Sequence, residues 1–357
     1  MRSVIAVLPL LAAGALATPL DDGPYVARQA DGSGLTRSIS GEAVKEGRIA
    51  IGQAFTVGAV GAMPAFEVQL RPVETPARDE IRLNANTPMF VVADTHGEYE
   101  ILGELLRKQR IVDTSLRWSF GKGHVVFLGD VFDRGPHQIE ILWLIYELQR
   151  QASRAGGGVH LLIGNHEAMV MRGDLRYLNP KYQATARTLG APSYVDLVAA
   201  DTVLGQWLRS RPAVLKIRDL LCLHGGISPQ LVERGLTVSQ INATVREALS
   251  GEESPQIDWL MGPLGPLWYR GYFADAQGEA SATTADIDAM LRHFGVTKII
   301  VGHTRVPTVT SLYDGKVVAV QVYPHRDAAS AQSVMEALRI EGRVVKRATI
   351  AGALEPL

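Results

Sequence analysis

Five short apolar runs in this sequence each lead into a side chain that can bind a metal ion. The residues that follow these runs are Asp94-Thr-His96-Gly97, Gly129-Asp130, Gly164-Asn165-His166, His224-Gly225-Gly226 and Gly302-His303. Each run has the length and apolar character of a buried strand, and the neighbouring glycine lets the backbone come close to an ion or a substrate. One such strand end is commonplace, whereas five in order are hard to obtain by chance. The pattern predicts a metal-dependent site built from strand ends.

The second run leads into the central turn of the chain, Gly129-Asp-Val-Phe-Asp-Arg-Gly135. Here two carboxylates and a guanidinium, those of Asp130, Asp133 and Arg134, directly follow a predicted buried strand. Charges next to a buried strand are costly unless they are compensated, and a divalent metal with a bound phosphate would compensate them. The alternative is a surface turn with a local ion pair between aspartate and arginine. The recurrence of the pattern favours the metal site.

The ligand types predict two metal ions. Asp94, His96 and Asp130 are predicted to bind one ion, and Asp130 is predicted to bridge to a second. The second ion is predicted to have the ligands Asp130, Asn165, His224 and His303. Mixed oxygen and imidazole ligation suits zinc, iron or manganese, whereas calcium favours oxygen alone. Two ions about 4 Å apart clamp an in-line displacement and acidify a bridging water, so the expected nucleophile is a hydroxide.

The remaining polar residues of these motifs suit the transfer of a phosphoryl group. His166 is predicted to protonate the leaving oxygen, and Asp133 to orient that imidazole. Arg134 and Arg270 are predicted to hold phosphoryl oxygens, for which a planar bidentate donor is well shaped. Two alternatives stay open, because His166 could be a metal ligand and Arg270 a surface arginine. Glu167 is predicted to hydrogen-bond near the ligands rather than to bind metal.

The chain of 357 residues is long enough for one large domain and a smaller one. Short alternating runs predict a small β-rich module in residues 18–87. Alternating strands and helices predict an α/β catalytic domain in residues 88–322, with helices at Glu98–Arg110 and Ile139–Gln151. A hairpin is predicted at Val309–Val322. Residues 323–357 are predicted to form a C-terminal hairpin and tail.

The charge balance of the chain and its first 17 residues indicate which partners and which cellular location to expect. The 36 basic and 37 acidic residues are balanced, which predicts neither nucleic-acid binding nor stable membrane association. Residues 1–17 combine Arg2, an apolar stretch and a small-x-small site before Thr18, which is typical of a secretory signal peptide. An uncleaved amphipathic start is the alternative. We therefore expect a periplasmic or extracellular protein. The sequence has a single cysteine, Cys222, so an internal disulfide is excluded.

At its five motifs the chain resembles the phosphoprotein phosphatase family of calcineurin-like metallophosphoesterases. Those motifs are Asp94-x-His96-Gly97, Gly129-Asp-x-x-Asp-Arg-Gly135, Gly164-Asn-His-Glu167, His224-Gly-Gly226 and Gly302-His303. A narrower resemblance, to the Shewanella-like, bacterial-type branch, rests on residues 171–177, 207–211 and 265–271. The resemblance covers about residues 88–322. One departure is Ala93, which stands where the family usually has glycine.

The resemblance implies a central β-sandwich flanked by helices and supports the metal and proton-donor roles given above. It also implies hydrolysis of phosphomonoesters, in a phosphorylated protein or a small molecule. Some members of the branch prefer phosphotyrosine, so tyrosine phosphatase activity is one expectation.

Two other functions stay open. One is hydrolysis of a phosphoanhydride or diester, as by dinucleoside tetraphosphate hydrolases, which typically carry aspartate where Glu167 stands. Glu167 and Arg270 favour monoesters over that chemistry. The other is a phosphate-binding module without catalysis, which should have lost a ligand or the proton donor. Every motif residue is present here.

Overall fold

The computed structural model describes residues 19–41, 43–73, 75–273 and 282–357, so the predicted signal peptide lies outside the described residues. The strands are β1 (Asp22–Arg28), β2 (Gly34–Ser40), β3 (Ala43–Ile49), β4 (Ala54–Val57), β5 (Phe66–Gln69), β6 (Glu80–Ile81), β7 (Met89–Val92), β8 (His124–Phe127), β9 (Gly158–Leu161), β10 (Val214–Ile217), β11 (Leu220–Leu223), β12 (Lys298–Val301), β13 (Thr310–Leu312), β14 (Val317–Ala319), β15 (His325–Arg326), β16 (Ser333–Val334), β17 (Glu336–Glu341), β18 (Val344–Thr349) and β19 (Leu354–Pro356). The helices are α1 (Tyr99–Lys108), α2 (Gln138–Arg154), α3 (Asn165–Met171), α4 (Pro180–Thr188), α5 (Val203–Arg209), α6 (Pro229–Glu233), α7 (Val238–Leu249), α8 (Pro255–Leu260) and α9 (Thr284–Phe294), with a 3₁₀ helix at Tyr194–Val198. None of these helices has the length and apolar character needed to cross a membrane.

Two sheets of six strands form the centre of the molecule. Their strand orders are β19-β18-β17-β7-β8-β9 and β13-β14-β12-β11-β10-β6. Met89 and Val91 of the first sheet share a buried apolar cluster with Leu215 and Ile300 of the second. Because side chains alternate along a strand, the neighbouring residues of β7 instead join the larger cluster that contains the helices. The two sheets therefore form a sandwich with one face of each sheet inside.

Helices cover the outer faces of this sandwich. Strands β7, β8 and β9 are parallel and are connected through α1 and α2. Both helices were predicted, at Glu98–Arg110 and Ile139–Gln151, and each forms within a few residues of those limits. Helix α1 buries an apolar stripe that contains Leu102, Leu105 and Leu106. The predicted α/β fold, a β-sandwich flanked by helices, is confirmed.

Segments on both sides of residues 88–322 supply strands to the sandwich. Strand β6 pairs with β10, and β17 pairs with β7 so that Leu338 lies opposite Val91. The predicted C-terminal hairpin is the pair β17–β18, which turns through Gly342 at φ 61°. Residues before β6 form the sheet β1-β2-β3 and the pair β4-β5. The division of the chain into separate domains stays a prediction.

Candidate active site

The five predicted strand ends meet at one edge of the sandwich. Strands β7, β8 and β9 are parallel neighbours in one sheet, and β11 and β12 are parallel neighbours in the other. Carboxyl ends of parallel strands lie at the same edge of a sheet, which is where open α/β sheets bind ligands. The side chains that converge there are buried, with at most 7% of their surface exposed: Asp94, His96, Asp130, Asn165, His166, His224 and His303.

Asp130 lies at the centre of this group. Its Oδ2 atom is 3.2 Å from Nε2 of His224 and 3.8 Å from Nε2 of both His96 and His166. Its Oδ1 atom accepts a hydrogen bond from the backbone N–H of His166 at 2.9 Å. Its backbone carbonyl accepts hydrogen bonds from the N–H groups of Thr95 and His96. The Asp130 carboxylate therefore faces three histidines. His96 and His166 follow strands of the first sheet, and His224 follows a strand of the second.

Several residues at the site adopt a backbone conformation that L-amino acids rarely use. They are His96 (φ 43°), Asp130 (φ 54°), Asp133 (φ 69°), Arg134 (φ 68°) and His303 (φ 60°). The left-handed region costs a non-glycine residue on the order of 1–3 kcal/mol, and it persists only where surrounding contacts enforce it. Such strain is typical of functional sites, because it aims side chains that an ordinary turn would direct elsewhere.

The converging atoms form two donor groups that share Asp130. One contains His96, Asp130 and His166, and the other contains Asp130, His224 and His303, with the donor atoms of each group within 4.8 Å of one another. Asn165 joins the second group, since its Oδ1 is 2.9 Å from Nε2 of His224. The Oδ2 atom of Asp94 is 3.9 Å from Nε2 of His96. Oxygen and imidazole donors in this proximity fit transition metals.

The charges of the cluster also fit a cation. Burial raises the pKa of Asp94 to about 6 and lowers those of His96 and His303 to about 3 and about 2. Burial also acts to lower the pKa of His224, but the charges of Asp130 and Asp94 raise it to about 9. The protonated His224 thus balances the buried carboxylates, while His96 and His303 are neutral. A metal ion would take the place of that proton.

Backbone carbonyls orient the two central imidazole rings. Nδ1 of His96 lies 3.0 Å from the carbonyl oxygen of Phe132, and Nδ1 of His224 lies 2.9 Å from that of Leu128. Each Nδ1–H donates to its carbonyl, which leaves Nε2 of each ring facing Asp130. Metal-binding histidines are commonly held by such a bond from the second nitrogen.

Glu167 holds the central turn in its strained shape. Its buried carboxylate accepts backbone N–H groups of Gly164, Asp130 and Val131 at 2.7–2.8 Å, and that of Phe132 at 3.1 Å. With four N–H donors on its two oxygens, this carboxylate connects the ends of β8 and β9. The contacts agree with the prediction that Glu167 is a hydrogen-bond partner near the ligands and not a ligand.

We expect Glu167→Gln to destabilise the protein by about 2–3 kcal/mol, since a buried N–H then meets an amide donor instead of an acceptor. Denaturant unfolding of the variant and the parent measures this difference. Glu252→Gln, at an exposed position, is the matched control. Equal free energies of unfolding for the two variants would contradict the role given to Glu167.

His166 and Asp133 form a hydrogen-bonded pair beside the donor groups. Nδ1 of His166 is 2.6 Å from Oδ2 of Asp133, whose backbone N–H donates to Oε1 of Gln138 at 2.8 Å. Burial acts to lower the pKa of His166, but the charges of Asp130 and Asp133 and this hydrogen bond raise it overall. The contact with Asp133 therefore favours the protonated form of the ring. Nε2 of His166 also belongs to the first donor group, so the alternative role as a ligand stays open.

The two predicted phosphate-binding arginines lie at the rim. Arg134 is exposed, and its backbone carbonyl accepts a hydrogen bond of 2.7 Å from Nδ2 of Asn179. Nη1 of Arg270 donates to Oγ1 of Thr304 at 3.1 Å and to the carbonyl of His303 at 3.3 Å. Arg270 is thus half-buried next to a candidate ligand, which disfavours the alternative of an unrelated surface arginine.

Several residues at the rim of the site were not predicted from the sequence. The Tyr177 ring lies 5.3 Å from that of His166, and the Tyr323 ring lies 5.8 Å from that of His96. The guanidinium of Arg305 covers the Tyr323 ring at 3.9 Å. Tyr177 is the last residue of the motif 171–177. That motif was noted for its family resemblance, but no role was predicted for Tyr177. Tyr323 follows the last residue of the predicted catalytic segment and belongs to no motif.

Comparisons with known proteins agree with this geometry. Residues 87–307 match the family model of the calcineurin-like phosphoesterases. The structure of a cold-active protein-tyrosine phosphatase from a psychrophilic Shewanella species is similar, with a TM-score of 0.83 and 36% identity over 94% of this chain and 99% of that one. Shewanella-like protein phosphatase 2 of Arabidopsis thaliana is 27% identical over 281 residues, 65% of this chain and 71% of the relative. The symmetrical bis(5'-nucleosyl)-tetraphosphatase of Vibrio cholerae is 28% identical over 183 residues, 50% of this chain and 59% of the relative.

The chain belongs to the calcineurin-like phosphoesterase family, whose members are metal-dependent. Within that family the predicted likeness to Shewanella-like phosphatases is confirmed by the first two relatives. The likeness to the Shewanella structure extends well beyond residues 87–307, so it includes flanking segments that the motifs do not reach. The likeness to the tetraphosphatase is confined to half of the chain.

Proposed function

We propose that this metal-dependent phosphatase is a protein phosphatase with a preference for phosphotyrosine. The observation that carries the proposal is the pair of donor groups sharing Asp130, with the hydrogen-bonded pair His166–Asp133 directly beside them. The solved Shewanella relative is described as a protein-tyrosine phosphatase, and the Arabidopsis relative as a protein phosphatase.

Two ions of manganese, iron or zinc are proposed as the cofactors. Asp94, His96 and Asp130 would hold one ion. The second ion would be held by Asp130, Asn165, His224 and His303. When bound, the ions supply Lewis acidity, which neutralises charge on phosphoryl oxygens and acidifies water.

The protein's own side chains bind the substrate and transfer a proton. The guanidinium groups of Arg134 and Arg270 would donate to phosphoryl oxygens at the rim of the site. Nε2 of His166 would give its proton to the leaving oxygen, and Asp133 would stabilise the ring through Nδ1. Protonation by His166 would make the leaving oxygen a neutral alcohol or phenol as the bond to phosphorus breaks.

The rings of Tyr177 and Tyr323 support the preference for phosphotyrosine. They border the site next to His166 and His96, and nearly half of the Tyr177 surface is exposed (48%). A phenyl ring that carries the phosphate would contact them, whereas the short side chains of phosphoserine and phosphothreonine would not. Aromatic pairs contribute on the order of 0.5–1.5 kcal/mol beyond their burial.

We expect Tyr177→Ala to lower kcat/KM for a phosphotyrosine peptide about tenfold, since both ring contact and burial are lost. For the matched phosphothreonine peptide we expect a change of less than about twofold, because that side chain does not reach the ring. Steady-state kinetics on both peptides measure the effect. Tyr177→Phe keeps the ring and serves as the control. Equal losses on the two peptides would contradict the proposed preference.

A second candidate is hydrolysis of dinucleoside tetraphosphates, which the partial likeness to the Vibrio cholerae enzyme favours. Turnover of three substrates by the manganese-loaded enzyme tests both functions: a phosphotyrosine peptide, a phosphothreonine peptide and a dinucleoside tetraphosphate. We expect the phosphotyrosine peptide to be hydrolysed fastest. Turnover of the nucleotide alone would overturn the proposed function.

We also propose that the protein is secreted, on the strength of the signal-like composition of residues 1–17. Expression in a bacterial host followed by fractionation and intact mass tests this proposal. We expect the periplasmic or extracellular protein to begin at Thr18. Recovery of the uncleaved chain from the cytoplasm would overturn it.

A further inference from the structure

A groove of about 950 Å³ is lined in part by Pro136 and His137, which closely follow Arg134 in the chain. One wall comes from the β-rich segment near the start of the described chain and includes Ser40, Thr56 and Ala59. The opposite wall includes Pro136 and Asn179, which belong to the central part of the chain. The groove therefore lies between the predicted N-terminal module and the turn that follows Asp133 and Arg134.

One end of the groove is built by the same turn that carries the phosphate-binding Arg134. Pro136 and His137, two and three residues after Arg134, both line the groove. Asn179 also lines it, and its Nδ2 donates to the backbone carbonyl of Arg134 at 2.7 Å. The backbone of Arg134 and the lining of the groove are therefore held together by the same turn.

The floor of the groove is fixed by a buried ionic cluster. Nζ of Lys181 donates to the carbonyl of Pro136 at 2.8 Å and lies 3.0 Å from Oδ1 of Asp22. Asp22 belongs to β1, and its carboxylate also accepts the hydroxyl groups of Tyr25 and Thr185 at 2.7 Å. The cluster connects the β-rich segment to the central turn, so the groove has its shape before anything binds.

The lining suits a polar, extended ligand. Glu140 lines the groove and is only 5% exposed, yet its Oε2 atom has no hydrogen-bond partner among the described residues. Hydroxyl groups of Ser38 and Ser40 lie on the opposite wall. The carboxylate on one wall and the hydroxyls on the other match the N–H groups and polar side chains of a peptide, whereas a lipid or apolar ligand would leave them unpaired.

The groove is too large for the phosphoryl group alone. Pockets that enclose whole small ligands measure about 300–1,000 Å³, so this groove lies near the upper end of that range. A phosphorylated protein must also place the residues next to its phosphorylated side chain somewhere beside the active site. We propose that the groove binds the stretch of substrate polypeptide that flanks the phosphorylated residue. This inference rests on the proposed protein phosphatase function. It assigns to the groove a part in the selectivity of the enzyme for its substrates.

Filling the groove tests the proposal. Ala59→Trp and Ser40→Trp each place a large ring on the groove wall, at exposed positions outside the catalytic machinery. Ala65→Trp is the matched control, because Ala65 is exposed in the same β-rich segment but does not line the groove. The substrates are a phosphotyrosine peptide with four residues on each side and p-nitrophenyl phosphate, which has no flanking residues.

We expect each groove variant to lower kcat/KM for the peptide about tenfold, as is typical of losing a central contact at an interface. We expect less than about a twofold change for p-nitrophenyl phosphate, and no change on either substrate for Ala65→Trp. Unchanged peptide turnover in the groove variants would overturn the proposal. Equal losses on both substrates would also overturn it, since they would indicate damage to the site itself.

A binding measurement separates this inference from the proposed function. The probe is a fluorescent peptide of the same sequence with a non-hydrolysable phosphonate in place of the phosphate, and its Kd is read by polarisation without turnover. We expect both groove variants to raise Kd about tenfold, while competition by inorganic phosphate stays unchanged. If the parent enzyme hydrolyses neither substrate, the proposed function fails, and the Kd comparison alone still decides the inference. Equal Kd values for parent and variants would overturn it.

Discussion

We expect Asp130→Asn to lower kcat/KM for a phosphotyrosine peptide by about three orders of magnitude, equivalent to roughly 4 kcal/mol of transition-state stabilisation. Asp130 is the residue that both donor groups share, so its replacement weakens both metal positions at once. The loss of charge also leaves His96, His166 and His224 without the carboxylate that each of them faces. No other single substitution at the site affects as many candidate ligands.

Steady-state kinetics and bound metal per chain, measured together, check this result. We expect Asp130→Asn to retain less metal than the parent after dialysis and to keep its circular dichroism spectrum. Asp288→Asn makes the same chemical change at a surface ion pair with Lys316 and should leave both quantities unchanged. An Asp130→Asn protein with parental turnover would show that the shared carboxylate is not part of the catalytic centre.

We expect His166→Asn to lower kcat by about 10²–10⁴, the usual contribution of a positioned proton donor. We expect the loss to depend on the leaving group. It should be largest for phenyl phosphate, whose leaving oxygen is basic and needs the proton. It should be smaller for p-nitrophenyl phosphate, whose leaving oxygen departs readily as an anion. In the proposed mechanism the pair His166–Asp133 supplies the proton, because Nδ1 is engaged at 2.6 Å and Nε2 remains to donate it.

The same variant separates the two roles open to His166. If the imidazole is a proton donor, the variant keeps the parental metal content and shows the leaving-group dependence. If it is a metal ligand, the variant loses metal, and both substrates slow by the same factor. His293→Asn replaces an exposed histidine far along the chain, on α9, and is the control for the chemical change.

The candidate site was predictable because its side chains lie at the ends of regular strands. Asp94, Asp130 and His224 each follow a short apolar strand, and a strand both buries its residues and fixes where its end points. Cys222, in the strand before His224, is fully buried between the sheets. Local pattern was enough to place these residues at one edge.

The parts that were not predictable depend on contacts between distant segments. Nothing near Leu338 indicates that β17 pairs with β7, since pairing between strands far apart in the chain leaves no local periodic signal. Tyr323 reaches the site only through the path of the chain after β14. The four N–H donors that converge on Glu167 likewise come from two separate turns, which no spacing reveals.

The measurement that tests the central claim most directly is a metal titration of the chelated enzyme, with phosphotyrosine peptide hydrolysis and bound manganese per chain followed together. The shared Asp130 and the two donor groups predict that the metal-free protein is inactive and that activity rises to its maximum at two ions per chain. Full activity in the metal-free protein, or a maximum reached with one ion bound, would contradict a two-metal phosphatase centre.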